Sequence, residues 1–193
     1  MILFFLTMFP ISLMPGINMI YALNLGMSHG YARSLPALIA QTIGIALVSL
    51  ACILGIAGLL ITHPSALFVI KVLGGIYILY LGISLFRSNG KFEEKEQKIE
   101  KNLFAQGFVI STTNPKAWIF FAAIYPKFIN ANQILGYYNF GLIGIMCLSE
   151  IIALSVYSLG GTILKNLLKT HLRYLEIFCA ILMCVIGILM IFR

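Results

Sequence analysis

Stretches of about 20 apolar residues recur along most of this chain, each long enough to cross roughly 30 Å of hydrocarbon as a helix. That pattern describes an all-α integral membrane protein crossing the bilayer several times. Hydrophobic residues make up 61% of the 193 and charged residues 10%, with a mean hydropathy of +1.00. A chain of this kind is one membrane domain, 1–193, with the lipid bilayer as its surroundings and no soluble appendage. Met1 has no basic segment after it and no small-residue cleavage site. It reads as the start of the first span rather than of a signal peptide.

Six spans are expected. They run over about 2–25, 35–61, 66–86, 103–128, 134 or 138–160, and 172–192. Residues 26–34 read as a loop, and Thr62-His63-Pro64-Ser65 as a tight turn. The strongly polar segment 88–102 mixes Lys91, Lys95, Lys98 and Lys101 with Glu93, Glu94, Glu96 and Glu100. It reads as a solvated linker between two halves, 1–87 and 103–193. A repeat of three spans enters the membrane from the opposite side the second time, so the halves are expected to be inverted repeats. Internal likeness supports this: Leu79–Arg87 reads LYLGISLFR, and Cys184–Arg193 reads CVIGILMIFR. Lys71 precedes Gly82 by the same eleven residues that separate Glu176 from Gly187. Basic residues orient the chain. Nine of them (Arg33, Arg87, Lys91, Lys95, Lys98, Lys101, Lys165, Lys169 and Arg173) fall after spans one, three and five, against Lys127 and Arg193 opposite. The linker is thus expected in the cytoplasm and both termini outside. The same placement accounts for the +7 net charge and argues against a nucleic-acid partner.

Two spans are interrupted. Pro15-Gly16-Ile17-Asn18 breaks the first, and Ser111-Thr112-Thr113-Asn114-Pro115-Lys116 breaks the fourth. Proline lacks a backbone N–H and clashes with the preceding turn. The groups it frees are tolerated in a membrane only where they are packed in protein or line a wet cavity. Paired interruptions in two halves point to a transporter's binding site. A half-helix N-terminus suits a carboxylate, and a C-terminal half-end suits an ammonium group. The cradle fits a zwitterion such as an amino acid. Its expected substrate-binding residues are Pro15, Gly16, Asn18, Thr112, Thr113, Asn114, Pro115 and Lys116. Asn18 and Asn114 can donate and accept, and Thr112 and Thr113 can bond to freed carbonyls or to the ligand. Lys116 is placed for the substrate carboxylate.

All six carboxylates are Glu, and Glu150 alone lies well inside a span. An intramembrane carboxyl is a proton carrier or a partner to a cation, with Lys116 or Lys71 as the nearby cation. Glu150 is the expected proton-coupling residue, the proton the coupling ion, and no other cofactor is expected. The scarcity of acids argues against an enzyme. His29, His63 and His171 fall in loops and do not form a metal set. Cys52, Cys147, Cys179 and Cys184 lie in apolar segments without CxxC spacing, as free buried thiols do. Glycines along spans two, three and five leave room for a homodimer.

These motifs resemble the lysine exporter and homoserine/threonine exporter family of bacterial amino-acid efflux proteins. Pro15–Asn18 is similar to the family's Pro-Gly-Pro-Asn motif. Lys71–Gly82 (KVLGGIYILYLG) and Phe104–Ala117 (FAQGFVISTTNPKA) resemble its third- and fourth-span signatures. The resemblance implies proton-motive-force-driven export of amino acids or close derivatives across the bacterial cytoplasmic (inner) membrane. Three departures stand out. Ile17 replaces the second proline, and the first span is short at its start. Ile45 stands where some members carry an acidic residue, and Glu150 is the alternative carboxyl. Other readings carry distinct expectations. A metal-cation exporter on the same fold needs a cluster of Cys, His or acids at one level. A non-transporting scaffold needs breaks filled by side chains with no cavity.

Overall fold

The computed structural model describes residues 1–62, 64–87, 102–130 and 133–163. It also describes the helical positions 174, 177, 178, 180, 181, 184, 185, 187–189 and 191. The linker charges at 88–101, His63, Lys165, Lys169, His171, Arg173, Glu176, Cys179 and Arg193 lie outside the described residues. Of Lys71 only the backbone is described. The described residues form α-helices and one short 3-10 turn, with no strand among them. The helices are α1 (Ile2–Leu13), α2 (Ile17–His29), α3 (Tyr31–Thr62), α4 (Pro64–Arg87), α5 (Leu103–Thr112), α6 (Pro115–Ile124) and α7 (Tyr137–Ile163).

Among the described residues, two helical stretches are long and apolar enough to cross a membrane alone, Tyr31–Ile56 and Tyr137–Gly161. The pair α1 and α2 qualifies when taken together, bent by 59° at its break. Ile17 in place of a second proline does not straighten this bend; it begins α2. At ten residues each, α5 and α6 are about 15 Å long, too short to cross singly. The expected loop over 26–34 is almost wholly helical. Only Gly30 lies outside a helix there, and its φ of 75° is the left-handed conformation that glycine adopts without strain. Within the expected turn at 62–65, Pro64 opens α4, where its missing N–H is not needed. Helix α6 stops at Ile124 and passes into a 3-10 turn at Tyr125–Lys127. Helix α7 begins at Tyr137. The Asn139 side chain ties the connection beneath it, accepting from Asn130 N at 2.9 Å and donating to the carbonyls of Asn130 and Ile134.

Glycines set the closest approaches. A Cβ on Gly26 would run into the backbone of Ser158, and one on Gly161 into the Leu23 carbonyl. These contacts dock α2 against α7. On the other flank, a Cβ on Gly107 would strike the Ala37 carbonyl and one on Gly44 the Ser111 side chain, so α3 and α5 dock in the same way. The α2–α7 contacts lie in the second half of α2, whereas Gly44 meets Ser111 at the end of α5 beside its break. Large side chains pack around α1 and α6. Phe4 packs its ring 5.7 Å from Tyr125 and 5.2 Å from Phe128, and Phe121 lies 5.3 Å from Tyr125. The Tyr125 hydroxyl is hydrogen-bonded to Ser49 of α3. A Cβ on Gly55 or Gly144 would meet no described atom within 4 Å.

These contacts sort the glycines. Gly26→Leu should destabilise the protein by about 1–3 kcal/mol or more through overpacking. Gly55→Ala should be neutral to stabilising by up to about 1 kcal/mol, from helix propensity. Melting curves of the purified variants in detergent read the difference.

Candidate functional site

The two breaks meet. Between α1 and α2, Met14, Pro15 and Gly16 leave the helical path, with Gly16 fully extended at φ −163° and ψ −179°. Between α5 and α6 the break is shorter. Pro115 pushes Asn114 out of the helical region, to φ −69° and ψ 106°, and itself takes the first position of α6. The Asn114 side chain caps that helix, its oxygen accepting from Lys116 N at 3.0 Å.

The carbonyls released by the breaks are satisfied by side chains. The Tyr157 hydroxyl on α7 donates to Leu13 O at 2.9 Å. Lys116 Nζ reaches Met14 O at 3.4 Å, and Trp118 Nε1 donates to Thr112 O at 2.8 Å. Thr112 and Thr113 bond back into α5, to the carbonyls of Phe108 and Val109. These are back-bonds within α5 and not to carbonyls freed by the break, since Val109 O also accepts from Thr113 N at 3.0 Å. Neither threonine lines the cavity described next, and nor do Pro15 and Pro115.

That cavity, of about 50 Å³, lies against both breaks. Its polar lining is Ser12, Asn18, Asn114, Lys116 and Glu150, with Gly16 at the rim. Asn18, Asn114 and Glu150 are buried, at 4%, 7% and 4% exposure. The rest is apolar: Met8, Ile11 and Met14 from the first span, Ile45 from α3, Phe120 and Phe121 from α6, and Met146 from α7, among others. Asn114 Nδ2 donates to Asn18 Oδ1 at 3.1 Å, and Asn18 Nδ2 donates to Glu150 Oε1 at 3.3 Å. Lys116 faces Glu150 electrostatically, and the Ser12 hydroxyl points at the same carboxyl without a hydrogen bond of ordinary geometry. The ammonium of Lys116 also stands 5.8 Å from the centre of the Phe120 ring. Ile45 lines the wall that Glu150 shares, so the one carboxyl in the cavity comes from α7 and not α3. No side chain caps the N-terminus of α2, which opens at this cavity through Gly16 and Asn18.

Ser12, Tyr157 and the apolar lining were missed in the sequence. A signal existed for Tyr157, which sits seven residues after Glu150 and hence on the same face of α7. Among the described residues, no group of three His, Cys, Asp or Glu side chains could hold a metal ion.

Residues 9–193 match the model of the LysE type translocator family. The chain belongs to that family. It is 30% identical over 133 residues to an uncharacterized membrane protein of Vibrio cholerae, covering 67% of this chain and 65% of that protein. It is 30% identical over 127 residues to a leucine efflux protein of Klebsiella pneumoniae, covering 63% of this chain and 59% of that protein. With a leucine efflux protein of an Enterobacter strain it shares 28% identity over 128 residues, 64% of this chain and 61% of that one. The matched region thus spans less than two thirds of these translocator relatives. No solved structure matches.

Asn114 supports both the α6 cap and the Asn18 amide. Asn114→Ala removes a cap worth about 0.5–2 kcal/mol and leaves a buried carbonyl oxygen unpaired, at about 1–3 kcal/mol. A loss of about 2–4 kcal/mol is expected by unfolding in detergent, with roughly half recovered in Asn114→Ser, which restores the cap alone.

Proposed function

We propose that this chain is a secondary active exporter of amino acids with uncharged, apolar side chains, driven by the proton motive force across the bacterial inner membrane. One observation carries this reading. A single ammonium and a single carboxyl, Lys116 and Glu150, line one cavity at the meeting of two broken helices, and the remaining wall is mostly apolar. The uncapped start of α2 and Lys116 suit a substrate carboxylate, and Glu150 suits its ammonium group or a proton. No second carboxyl lines this wall to receive a basic side chain. Methionines at positions 8, 14, 19 and 146 give it an adaptable apolar surface. The leucine efflux relatives point the same way.

At about 50 Å³, the cavity is smaller than the roughly 300–1,000 Å³ typical of ligand pockets. Admitting an amino acid therefore requires the helices around it to move. The proposed motion is a rocking of two inverted three-helix repeats, 1–87 and 103–193, in a six-span protein with the 88–102 linker in the cytoplasm and both termini outside. Reciprocal glycine contacts support the repeat. A Cβ on Gly82 would meet Cys184 and the Ala180 carbonyl, while one on Gly187 would meet Leu79 and the Gly75 carbonyl. With Gly82 matched to Gly187, Leu79 matches Cys184 and Gly75 matches Ala180, so each contact is the image of the other. A second copy, if one binds, would have room to pack at Gly55 and Gly144. The described residues favour neither other reading: no cluster suits a metal cargo, and a scaffold has no use for a polar cavity at the breaks.

Counterflow in proteoliposomes tests the function. Vesicles loaded with unlabelled leucine should take up labelled leucine and exclude labelled lysine and arginine. Lys116→Ala should weaken apparent affinity roughly tenfold to a hundredfold, the value of a charge-assisted hydrogen bond of about 1.5–3 kcal/mol. Glu150→Gln should abolish accumulation against a gradient when a pH difference is imposed. No exchange of any amino acid by correctly inserted protein would sink the reading.

A further inference from the structure

The hydrogen bonds that join the breaks form a chain whose direction is fixed at one end. A backbone N–H can only donate, so the Asn114 atom that caps α6 at Lys116 N is its oxygen. The Asn114 amide nitrogen therefore faces Asn18, and Asn18 must present its own oxygen in return. That leaves the Asn18 amide nitrogen facing Glu150. Turning Asn18 over would set two NH₂ groups against each other at one contact and two oxygens at the next. The cap of α6 thus dictates that the buried carboxyl on α7 meets a donor.

We propose that Asn114 and Asn18 are a polarity relay that makes the environment of Glu150 depend on the two breaks being together. While the breaks meet, Asn18 is held as a donor to the carboxyl. When they part, Asn18 loses its fixed partner and can turn either face to Glu150. Asn114 is a positioning residue, acting through Asn18. This deepens the proposed function and rests on Glu150 being the proton-coupling group. The other groups facing Glu150 are Lys116 from α6, Ser12 from α1 and Cys147 from its own helix. The wall from α3 presents only apolar Ile45 to the cavity. The relay is therefore the directional contact that can be reversed without altering a charged neighbour of Glu150.

Asn114→Asp separates the relay from the cap. Asp caps a helix about as well as Asn, but it offers Asn18 only acceptors. Asn18 should turn its NH₂ group toward position 114 and its oxygen toward Glu150. Infrared difference spectra of the full chain in liposomes, without substrate, read this directly through the carboxyl stretch that disappears in Glu150→Gln. The relay requires this band to move in Asn114→Asp. It also requires Asn18→Leu to displace the band, and Asn114→Ser, which changes no charge, to add nothing in the double variant beyond Asn18→Leu, since residue 114 then has no hydrogen-bonded route to the carboxyl. If Asn114→Asp does not insert, Asn114→Ser serves, because it caps α6 but is too short to reach Asn18. A band unmoved in the inserted position-114 variant would overturn the relay, as would displacements that simply add. Failure of the underlying reading looks different: Glu150→Gln would then accumulate substrate normally, whatever the band does.

Discussion

Breaking a helix inside hydrocarbon frees carbonyls and N–H groups that lipid cannot satisfy, and the rest of this molecule is arranged around meeting that demand twice. Each break borrows from elsewhere in the chain. The first is closed by Tyr157 from α7 and Lys116 from α6. The second is closed by its own Asn114 and Trp118. The first break therefore exists in this form only with the second half of the chain seated against it. Its unspent donors, at the start of α2, are left facing the cavity.

The cavity follows from the same constraint. Large side chains pack α1 against α6 and the turn after it, close glycine contacts dock α2 to α7 and α3 to α5, and the cavity is left at the interrupted helices. Into it project the one carboxyl and the one ammonium of the wall. A buried charge is tolerable only with partners. Here Asn18 bonds Glu150 and the Met14 carbonyl bonds Lys116, and the two groups also face each other.

Much of this was legible in the residues. Proline, asparagine and lysine at one level of an apolar run are expensive, so the breaks, Asn18, Asn114, Lys116 and Glu150 stood out, and the cavity gathers the last four. Long apolar runs located the helices well, but their ends less so. Residues 26–34 look polar enough for a loop and yet are helical, because helix docking at Gly26 outweighs local composition. What stayed hidden was direction. Thr112 and Thr113 can turn to a ligand or to their own helix, and only the backbone path shows that the carbonyls of Phe108 and Val109 lie within reach. Ser12 and Tyr157 carry no motif, and their part depends on which elements become neighbours.

The glycine contacts have a mechanical consequence. Each close pair joins one half of the chain to the other, α2 to α7 and α3 to α5. Glycine seams carry few interlocking side chains, so a rocking of 1–87 against 103–193 would run along them. Asn18 belongs to the first half, and Asn114 and Glu150 to the second. Both side-chain hydrogen bonds of Asn18 therefore span the seam, and that one amide is the stitch such a motion would have to undo and remake.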